Sequence, residues 1–580
     1  MSSKKPASVK SKPRKSPLAV LPAMVVLGVI ALVVWAGTSR QTALAEQTVP
    51  EDLDDIVLQA NSHLQHRWET IVAKDGKPLV LTPAEPASDL QILRRLSLSL
   101  HGTIPSLEEI RQFESDQEPQ KLKRWTLRFL DDSRFSDYFA ERLARGFVST
   151  EGGSFIIYRR DRFVDWLRVQ LKKNRPYHEI VREMIASKGL WTGDPATNFM
   201  TVAYNDKKFD VNKLAGRSIR AFLGQRLDCA QCHDHPFNEQ WKQHHFEGLA
   251  AFFAQSRLSV FGVEDKEFEG KDDSPVEYVV EDRKTLKKRT VKPAVPFLPE
   301  LLPEDETRRK QLAAWITHPK NHRFERAFVN RVWALLFGKA YTYPVYPVDD
   351  LPSPGDDEET DTKLLDLLGK DFREHNYDIR RLILVITSMQ AFRMSSSHPL
   401  DTPAAFQPNH AKQKYLVEQH ENNWAVFPLA RLRPEQIVGS ILQSGSIKTI
   451  DQYSNLFVRI IRYMREQDFV SEYGDPGDEE LVEKAGTIPQ SLLRMNGKLP
   501  NEVLKAESFN ASGRIVDRSD SDENRVEVSY LVGLCRRPTE SERTYWLDRL
   551  RSTTEKKGRN KVVEDLFWAI YNSPEFSWNH

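Results

Sequence analysis

The sequence predicts a mainly α protein: two helical domains joined by a short linker that contains a β-hairpin, preceded by one N-terminal transmembrane helix. Three observations support this fold class. Apolar residues recur at three- and four-residue steps through most of the chain after residue 88. Strand-like residues are confined to one short interval, 276–292. A charge-free apolar run, long enough to cross a bilayer, stands near the N-terminus.

The composition is that of a folded protein with more than one domain. The chain has 580 residues, 40% of them hydrophobic, with 12 Trp and 29 Phe. This length suits two or three domains. Lys and Arg (83) nearly balance Asp and Glu (82), so the charge gives no reason to expect nucleic acid as a partner. Three cysteines do not make a disulfide framework, and the isolated Cys535 is predicted to be a buried apolar side chain.

The N-terminus predicts a single-pass inner-membrane protein whose bulk is exported to the periplasmic side. Residues 1–17 form a basic cytoplasmic tail, and the apolar run at 18–37 exceeds the roughly 7–15 residues of a secretory h-region. A run of about 20 such residues can span a membrane, with its positive flank inside. A cleaved signal is the alternative, because residues 43–45 read Ala-Leu-Ala. A polar lead-in broken by prolines is predicted at 38–87.

The first helical domain is predicted at 88–257. Leucines recur on one helix face between residues 90 and 100. Ser106, followed three residues later by Glu109, has the pattern of a capping box, so a helix should begin there.

The linker is predicted at 258–304 and the second helical domain at 305–578. Strand-forming residues at 276–280 and 289–291 flank a basic turn, which predicts the β-hairpin. Trp333, on a helix rich in apolar positions, is predicted to lie in the core.

One motif points to specific chemistry. Cys229, Cys232 and His233 have the C-x-x-C-H spacing of c-type haem attachment. Each thiol can add to a haem vinyl group, and the adjacent histidine can then bind the iron as the proximal ligand. Bound haem would require both thiols and the imidazole to face one large, mostly apolar cavity. Spacing does not choose among the candidate distal ligands, which are Met184, Met200, His244 and His245.

Other interpretations of this motif remain open. A Zn²⁺ ion suits a site made of Cys229, Cys232 and either His233 or His235. A disulfide between the two cysteines, with or without redox activity, is a second alternative. A purely structural role without any cofactor is the third.

A second candidate site lies in the second helical domain. Arg326, Asn330 and Arg331 fall on one predicted helix, and Asp349 and Asp350 follow in a proline-rich loop. The two aspartates are expected to pair with these arginines. A pocket for anionic groups is the functional interpretation, and a structural ion-pair network is the alternative.

Long motifs in both predicted domains resemble a known family. They lie at 94–105, at 222–237 around the C-x-x-C-H motif, and at 327–333, 347–350 and 568–576. Together they are similar to the paired domains of unknown function DUF1549, a planctomycete cytochrome-type domain, and DUF1553, which occur in large exported planctomycete proteins. The resemblance implies the domain order and export, and it assigns no activity. The additional cytochrome c-like domain of many such proteins has no counterpart in the short lead-in.

The leading functional hypothesis is a membrane-tethered, exported haem c protein of redox or electron-transfer type. The alternatives are a tethered binding or scaffold protein with a structural or disulfide-bonded motif, and a metal-dependent hydrolase that uses His233, His235 and the 244–245 pair. The expected partners are the membrane, through the N-terminal helix, and a redox or polysaccharide-related molecule; nucleic acid is not expected. The sequence leaves open whether the protein is an enzyme, and its substrate and oligomeric state.

Overall fold

The computed structural model describes residues 48–73, 76–150, 157–234, 241–269, 274–281, 286–355, 361–398, 411–451, 454, 468–474, 477 and 486–580. The predicted basic tail and membrane helix, 1–37, lie outside these residues. Within them, no helix combines the length and the apolar character needed to cross a membrane.

The mainly α prediction is confirmed. The helices before the strand-rich interval are α1 (Leu53–Thr70), α2 (Asp89–His101), α3 (Leu107–Ser115), α4 (Lys121–Asp131), α5 (Ser133–Val148), α6 (Arg160–Lys172), α7 (Tyr177–Ala186), α8 (Asn198–Thr201), α9 (Val211–Leu223) and α10 (Gln243–Ala251). The helices after it are α11 (Arg308–Ile316), α12 (His322–Phe337), α13 (Lys363–Glu374), α14 (Ile379–Ser388), α15 (Gln390–Arg393), α16 (Ala411–Asn422), α17 (Pro434–Ser444), α18 (Ile488–Asn496), α19 (Lys498–Val503), α20 (Ala511–Arg518), α21 (Asp522–Leu534), α22 (Glu540–Arg551) and α23 (Lys556–Asn572).

The strands of the described chain form short antiparallel pairs, and most of these pairs lie outside 276–292, so the expectation that strand is confined to that interval is wrong. These pairs are β1 (Ile71–Val72) with β2 (Pro78–Leu79), β3 (Tyr204–Asn205) with β4 (Lys208–Phe209), β5 (Ser256–Ser259) with β6 (Gly262–Asp265), β7 (Phe268–Glu269) with β8 (Ser274–Pro275), β9 (Tyr278–Glu281) with β10 (Lys288–Val291), and β11 (Ala430–Arg431) with β12 (Trp578–Asn579). The β9–β10 pair is the hairpin predicted from the sequence, with Tyr278 opposite Val291.

The predicted start of α3 is confirmed in atomic detail. The Ser106 hydroxyl accepts a hydrogen bond from the Glu109 amide at 3.1 Å, and the Glu109 carboxylate accepts one from the Ser106 amide at 2.9 Å. Both helix-end amides are therefore satisfied by side chains, as a capping box requires.

Helix α1 lies within the interval predicted to be a polar lead-in, 38–87. Its apolar residues, among them Leu64 and Trp68, are buried except for Leu58. The Trp68 indole N–H donates to the carbonyl of Asn423 at 2.8 Å. The lead-in therefore contributes a packed helix, because it contains one amphipathic stretch between its prolines.

The hydrophobic core is continuous across the two predicted domains. Tyr177 of α7 stacks on Phe328 of α12 with ring centroids 3.8 Å apart, and lies 5.1 Å from Phe324. Trp333 is fully buried in the same cluster, as predicted, and so is Cys535. A second cluster is built mainly from the C-terminal helices. The two predicted domains thus pack around a shared core.

Candidate functional site

The C-x-x-C-H motif lies just after α9. That helix ends at Gly224 in the left-handed region, with φ of 59°. A short 3-10 helix, Asp228–Gln231, contains Cys229. The amides of Cys232 and His233 donate to the Cys229 carbonyl at 3.2 and 3.4 Å. The motif is therefore a hydrogen-bonded turn on the surface.

Both cysteines of this turn are exposed, and within the described chain neither forms a disulfide. The third cysteine differs from them in its exposure. Cys535 is buried, and burial raises the pKa of its thiol to about 12. A thiol must ionise to react as a nucleophile, so Cys229 and Cys232 are the accessible thiols and Cys535 is inert.

The His233 ring is oriented by a backbone group. Its Nδ1 lies 2.7 Å from the carbonyl oxygen of Asp234. Since a carbonyl oxygen can only accept, Nδ1 carries the proton of the neutral ring. The Nε2 atom then keeps its lone pair, and the imidazole is exposed. This is the tautomer that a histidine needs to bind a metal or haem iron through Nε2.

A cleft of about 970 Å³ opens beside the turn. Cys232 and His233 line one wall, whereas Cys229 is not among the described residues that line it. The volume lies at the upper end of the roughly 300–1,000 Å³ of typical small-molecule sites. The other walls mix apolar and charged side chains, which include Phe209, Phe246, Val280, Asp206, Lys208 and Glu281. The cleft is thus large, as haem requires, but more polar than the sequence-based hypothesis expects.

A buried carboxylate stands in this cleft. Glu247 of α10 is only 2% exposed, and one of its oxygens pairs with the Arg289 guanidinium. The other oxygen, Oε1, has no hydrogen-bond partner within the described chain. Nearby, the Tyr278 hydroxyl donates to Asn212 at 2.7 Å, and burial raises the pKa of this tyrosine. The cleft wall therefore contains a buried carboxylate oxygen that has no hydrogen-bond partner among the described residues. Sequence reasoning missed Glu247, because no motif distinguishes it.

The structure does not bring the candidate distal ligands to the cleft. Met184 and Met200 are fully buried in the hydrophobic core. His244 is exposed, and His245 accepts at Nδ1 from the amide of Lys242 at 3.2 Å. None of the four is among the described residues that line the cleft.

The turn offers the donor types that covalent haem attachment uses, but of its donors in the described chain only Cys232 and His233 meet the requirement of facing the cleft. Two exposed thiols and an imidazole with an accessible Nε2 lie on one short turn, and Cys232 and His233 face a large cleft. For zinc, the fourth candidate, His235, lies outside the described residues. Within those residues, no three His, Cys, Asp or Glu side chains converge to hold a metal ion.

The second predicted site is not assembled as expected. Arg326 is 1% exposed, and its Nε lies 3.4 Å from Asp366. Asn330 binds backbone groups: its side chain accepts from the Tyr341 amide at 2.9 Å and donates to the Val348 carbonyl at 3.2 Å. These side chains are used in packing, so the predicted pocket for anionic groups is not supported.

The two aspartates of this prediction contact a different arginine. Asp349 pairs with Arg226 at 2.7 Å, and Asp350 accepts from the Arg226 backbone amide at 3.3 Å. Arg331 lies against Gly146, since a Cβ there would come within 2.4 Å of its guanidinium. The described contacts of the two aspartates are thus with the chain next to the C-x-x-C-H turn, and their pairing with Arg326 and Arg331 stays a prediction.

Comparison with known proteins gives two family matches. Residues 69–258 match the family model described as PSCyt2, protein of unknown function (DUF1549). Residues 308–550 match the model described as PSD1, protein of unknown function (DUF1553). No curated protein and no solved structure matches the chain.

Proposed function

The chain belongs to the proteins in which a DUF1549 segment is followed by a DUF1553 segment, as its motifs predict, and on this premise we propose that it is a membrane-tethered, exported haem c protein of redox type. Both families are described as having unknown function, so the proposal rests on the site itself. The observation that carries it is the position of Cys232 and His233 on the wall of the 970 Å³ cleft.

Each residue of the turn has a defined role in this proposal. The thiols of Cys229 and Cys232 would form the two thioether bonds, and Nε2 of His233 would bind the iron. The bound haem would supply an iron that exchanges single electrons. Lys208 and Arg289, the Lys and Arg side chains among the described lining residues, are suited to the negative propionates. The polar wall keeps part of the cleft accessible to water, which suits an electron-transfer site with an exposed edge.

Covalent haem is the first expected result. The full-length protein, produced with a haem-attachment system, should be red and should keep its colour after denaturation. Replacing both Cys229 and Cys232 by Ser should abolish covalent haem, because no thioether can form. His233→Ala should retain attachment but change the absorption spectrum of the iron, because the proximal ligand is lost. The measurement is a haem stain together with visible spectra.

Cys535→Ala is the matched control for the cysteine variants, because it removes a buried thiol that cannot reach the haem; it should remain red. A colourless wild-type protein from cells that attach haem to a co-expressed cytochrome would refute the proposal. Metal analysis and thiol titration of that protein would then separate a zinc site from a disulfide.

A second candidate function is a tethered binding or scaffold protein. The charged wall of the cleft favours it, because a polar cleft binds polar ligands as readily as it holds haem. Colourless protein with reduced, metal-free cysteines would support this candidate.

Membrane tethering by residues 18–37 is the second expected result. After carbonate washing, the full-length protein should remain in the membrane pellet, as expected for a spanning helix. Replacing Val26 and Val33 by Arg should release it, since each buried arginine opposes insertion by about 3 kcal/mol. A soluble mature protein that begins near residue 46 would show that the segment is a cleaved signal.

A further inference from the structure

The proline-rich loop after α12 binds the chain immediately before the C-x-x-C-H turn. The Leu351 amide donates to the carbonyl of Gly224 at 2.7 Å, and the Gln225 side-chain amide donates to the carbonyl of Leu351. One residue further, the Arg226 amide donates to Asp350 at 3.3 Å. Three consecutive residues of the DUF1549 segment are thus held by the loop of the DUF1553 segment.

Asp349 adds charge to this contact. Its side chain is 13% exposed, and its Oδ1 accepts from the Nε and Nη2 of Arg226 at 2.8 and 2.7 Å. Its Oδ2 lies 3.6 Å from the Nε of Arg220, in the last turn of α9. One carboxylate therefore bridges the end of a helix and the segment that leads into the haem-type turn.

Gly224 packs closely against the loop and against α12, with no space for a side chain. A Cβ at Gly224 would lie 3.0 Å from Leu351 Cδ1 and 3.2 Å from Ala327 Cβ. Gly224 also has a positive φ, so a side chain there would be strained as well as crowded. The loop is packed directly on the peptide to which it is hydrogen-bonded.

The turn is also held at its other end. The Asp234 carboxylate accepts from the amide of Gln243, at the start of α10, at 3.0 Å. Between the two ends, the amide of Ala230 donates to the carbonyl of Leu227 at 2.9 Å. The turn is therefore anchored by α10 at one end and by the distant loop at the other.

We propose that the loop 349–351 of the DUF1553 segment positions the C-x-x-C-H turn of the DUF1549 segment, and that Asp349 is its main positioning residue. The consequence for haem rests on the proposed function, whereas the contacts that carry the inference do not. This positioning gives the DUF1553 segment a role in function, because its loop completes the site on the DUF1549 segment.

Amide hydrogen exchange on the full-length protein tests the positioning directly, with or without haem. Asp349→Asn should raise exchange in the peptide 224–234 about tenfold, the effect of losing one charge-assisted hydrogen bond. Arg226→Gln should raise it by a similar factor, because it removes the other member of the pair. The double variant should add little further, since both changes break the same interaction.

Asp565→Asn is the matched control, because Asp565 forms a comparable part-exposed pair with Arg549 at 2.9 Å within the C-terminal helices. It should leave exchange in 224–234 unchanged. Unchanged protection of α12 in every variant shows that the fold is retained. If Asp349→Asn and Arg226→Gln leave the peptide as protected as the wild type does, the positioning role is refuted.

In haem-loaded protein, Asp349→Asn should lower the yield of covalent haem and shift its reduction potential, whereas Asp565→Asn should change neither. The two proposals fail in different ways. A colourless wild type with faster exchange in Asp349→Asn refutes the haem function and supports the positioning role. A red wild type whose exchange, haem yield and potential are all unaffected by Asp349→Asn supports the haem function and refutes the positioning role.

Discussion

Replacing Glu435 by Gln should lower the free energy of unfolding by about 3–5 kcal/mol, the usual cost of breaking a buried ion pair by removing one partner. Glu435, on α17, binds Arg142 and Arg145 of α5, each at 2.9 Å. The side chain of Arg142 is 1% exposed and that of Arg145 is 6% exposed. The substitution keeps the shape of the side chain but removes the anion that the two buried guanidiniums share, although Arg145 keeps its pair with Glu141 at 3.1 Å.

The protonation behaviour of Glu435 agrees with this expectation. Burial alone would raise the pKa of its carboxyl, but the guanidiniums of Arg142 and Arg145 outweigh burial and hold the pKa at about 2. The carboxylate therefore stays charged at neutral pH. Its ion pairs stabilise the fold fully above pH 4.5, the ordinary value, and this stabilisation is lost as the pH falls towards 2.

Urea denaturation at pH 7 measures the effect of Glu435→Gln. Glu523→Gln is the control, because the same change there removes a pair with Arg551 in which both side chains are more than half exposed. The control should cost less than about 1 kcal/mol. Equal losses in the two variants would contradict the importance of the buried pair.

Local sequence patterns predicted the parts of this fold that depend on neighbouring residues. The capping box at Ser106 and Glu109 involves side chains three residues apart, and the β9–β10 hairpin pairs strands joined by one turn. Trp333 lies on a helix with apolar residues around most of its surface, so its burial followed from composition alone. For the capping box and the hairpin, the deciding contacts are close in the chain.

The arrangement of the candidate site could not be predicted in the same way. Asp349 and Arg226 are 123 residues apart, and helix periodicity does not show which arginine a distant loop will meet. Arg326 was an equally charged candidate, but its position on α12 turns it towards Asp366. Glu247 lies on a helix without any motif, and only the packed structure shows that one of its oxygens is buried in the cleft without a described partner.

A buried histidine at the end of α2 should make the free energy of unfolding depend strongly on pH. His101 is 3% exposed, and its Nε2 lies 2.9 Å from the carbonyl of Phe129, to which it donates. Burial, aided by the nearby Arg134 guanidinium, lowers the pKa of His101 from 6.5 to about 4. The folded protein therefore keeps this ring neutral at pH values where the unfolded chain protonates it.

The direction of the effect follows from proton binding. Between pH 6.5 and 4 the unfolded state binds more protons at His101 than the folded state does, so the free energy of unfolding decreases as the pH falls. A shift of this size corresponds to a loss of up to about 3 kcal/mol over the interval. The neighbouring Asp132 does not obscure this loss of stability. The pKa of its carboxyl is about 2, so the contribution of Asp132 to the free energy of unfolding changes at lower pH.

His101→Gln should remove this pH dependence while keeping a side-chain amide that can donate to the Phe129 carbonyl. The variant should be less stable than the wild type at pH 7, and the difference in unfolding free energy should narrow by about 2–3 kcal/mol at pH 4.5, because only the wild type loses stability through this residue. Urea denaturation at both pH values measures the difference, with His66→Gln as the control at an exposed position. A gap of the same size at both pH values would mean that the folded protein protonates His101 as readily as the unfolded chain does, and that the ring is accessible to water in solution.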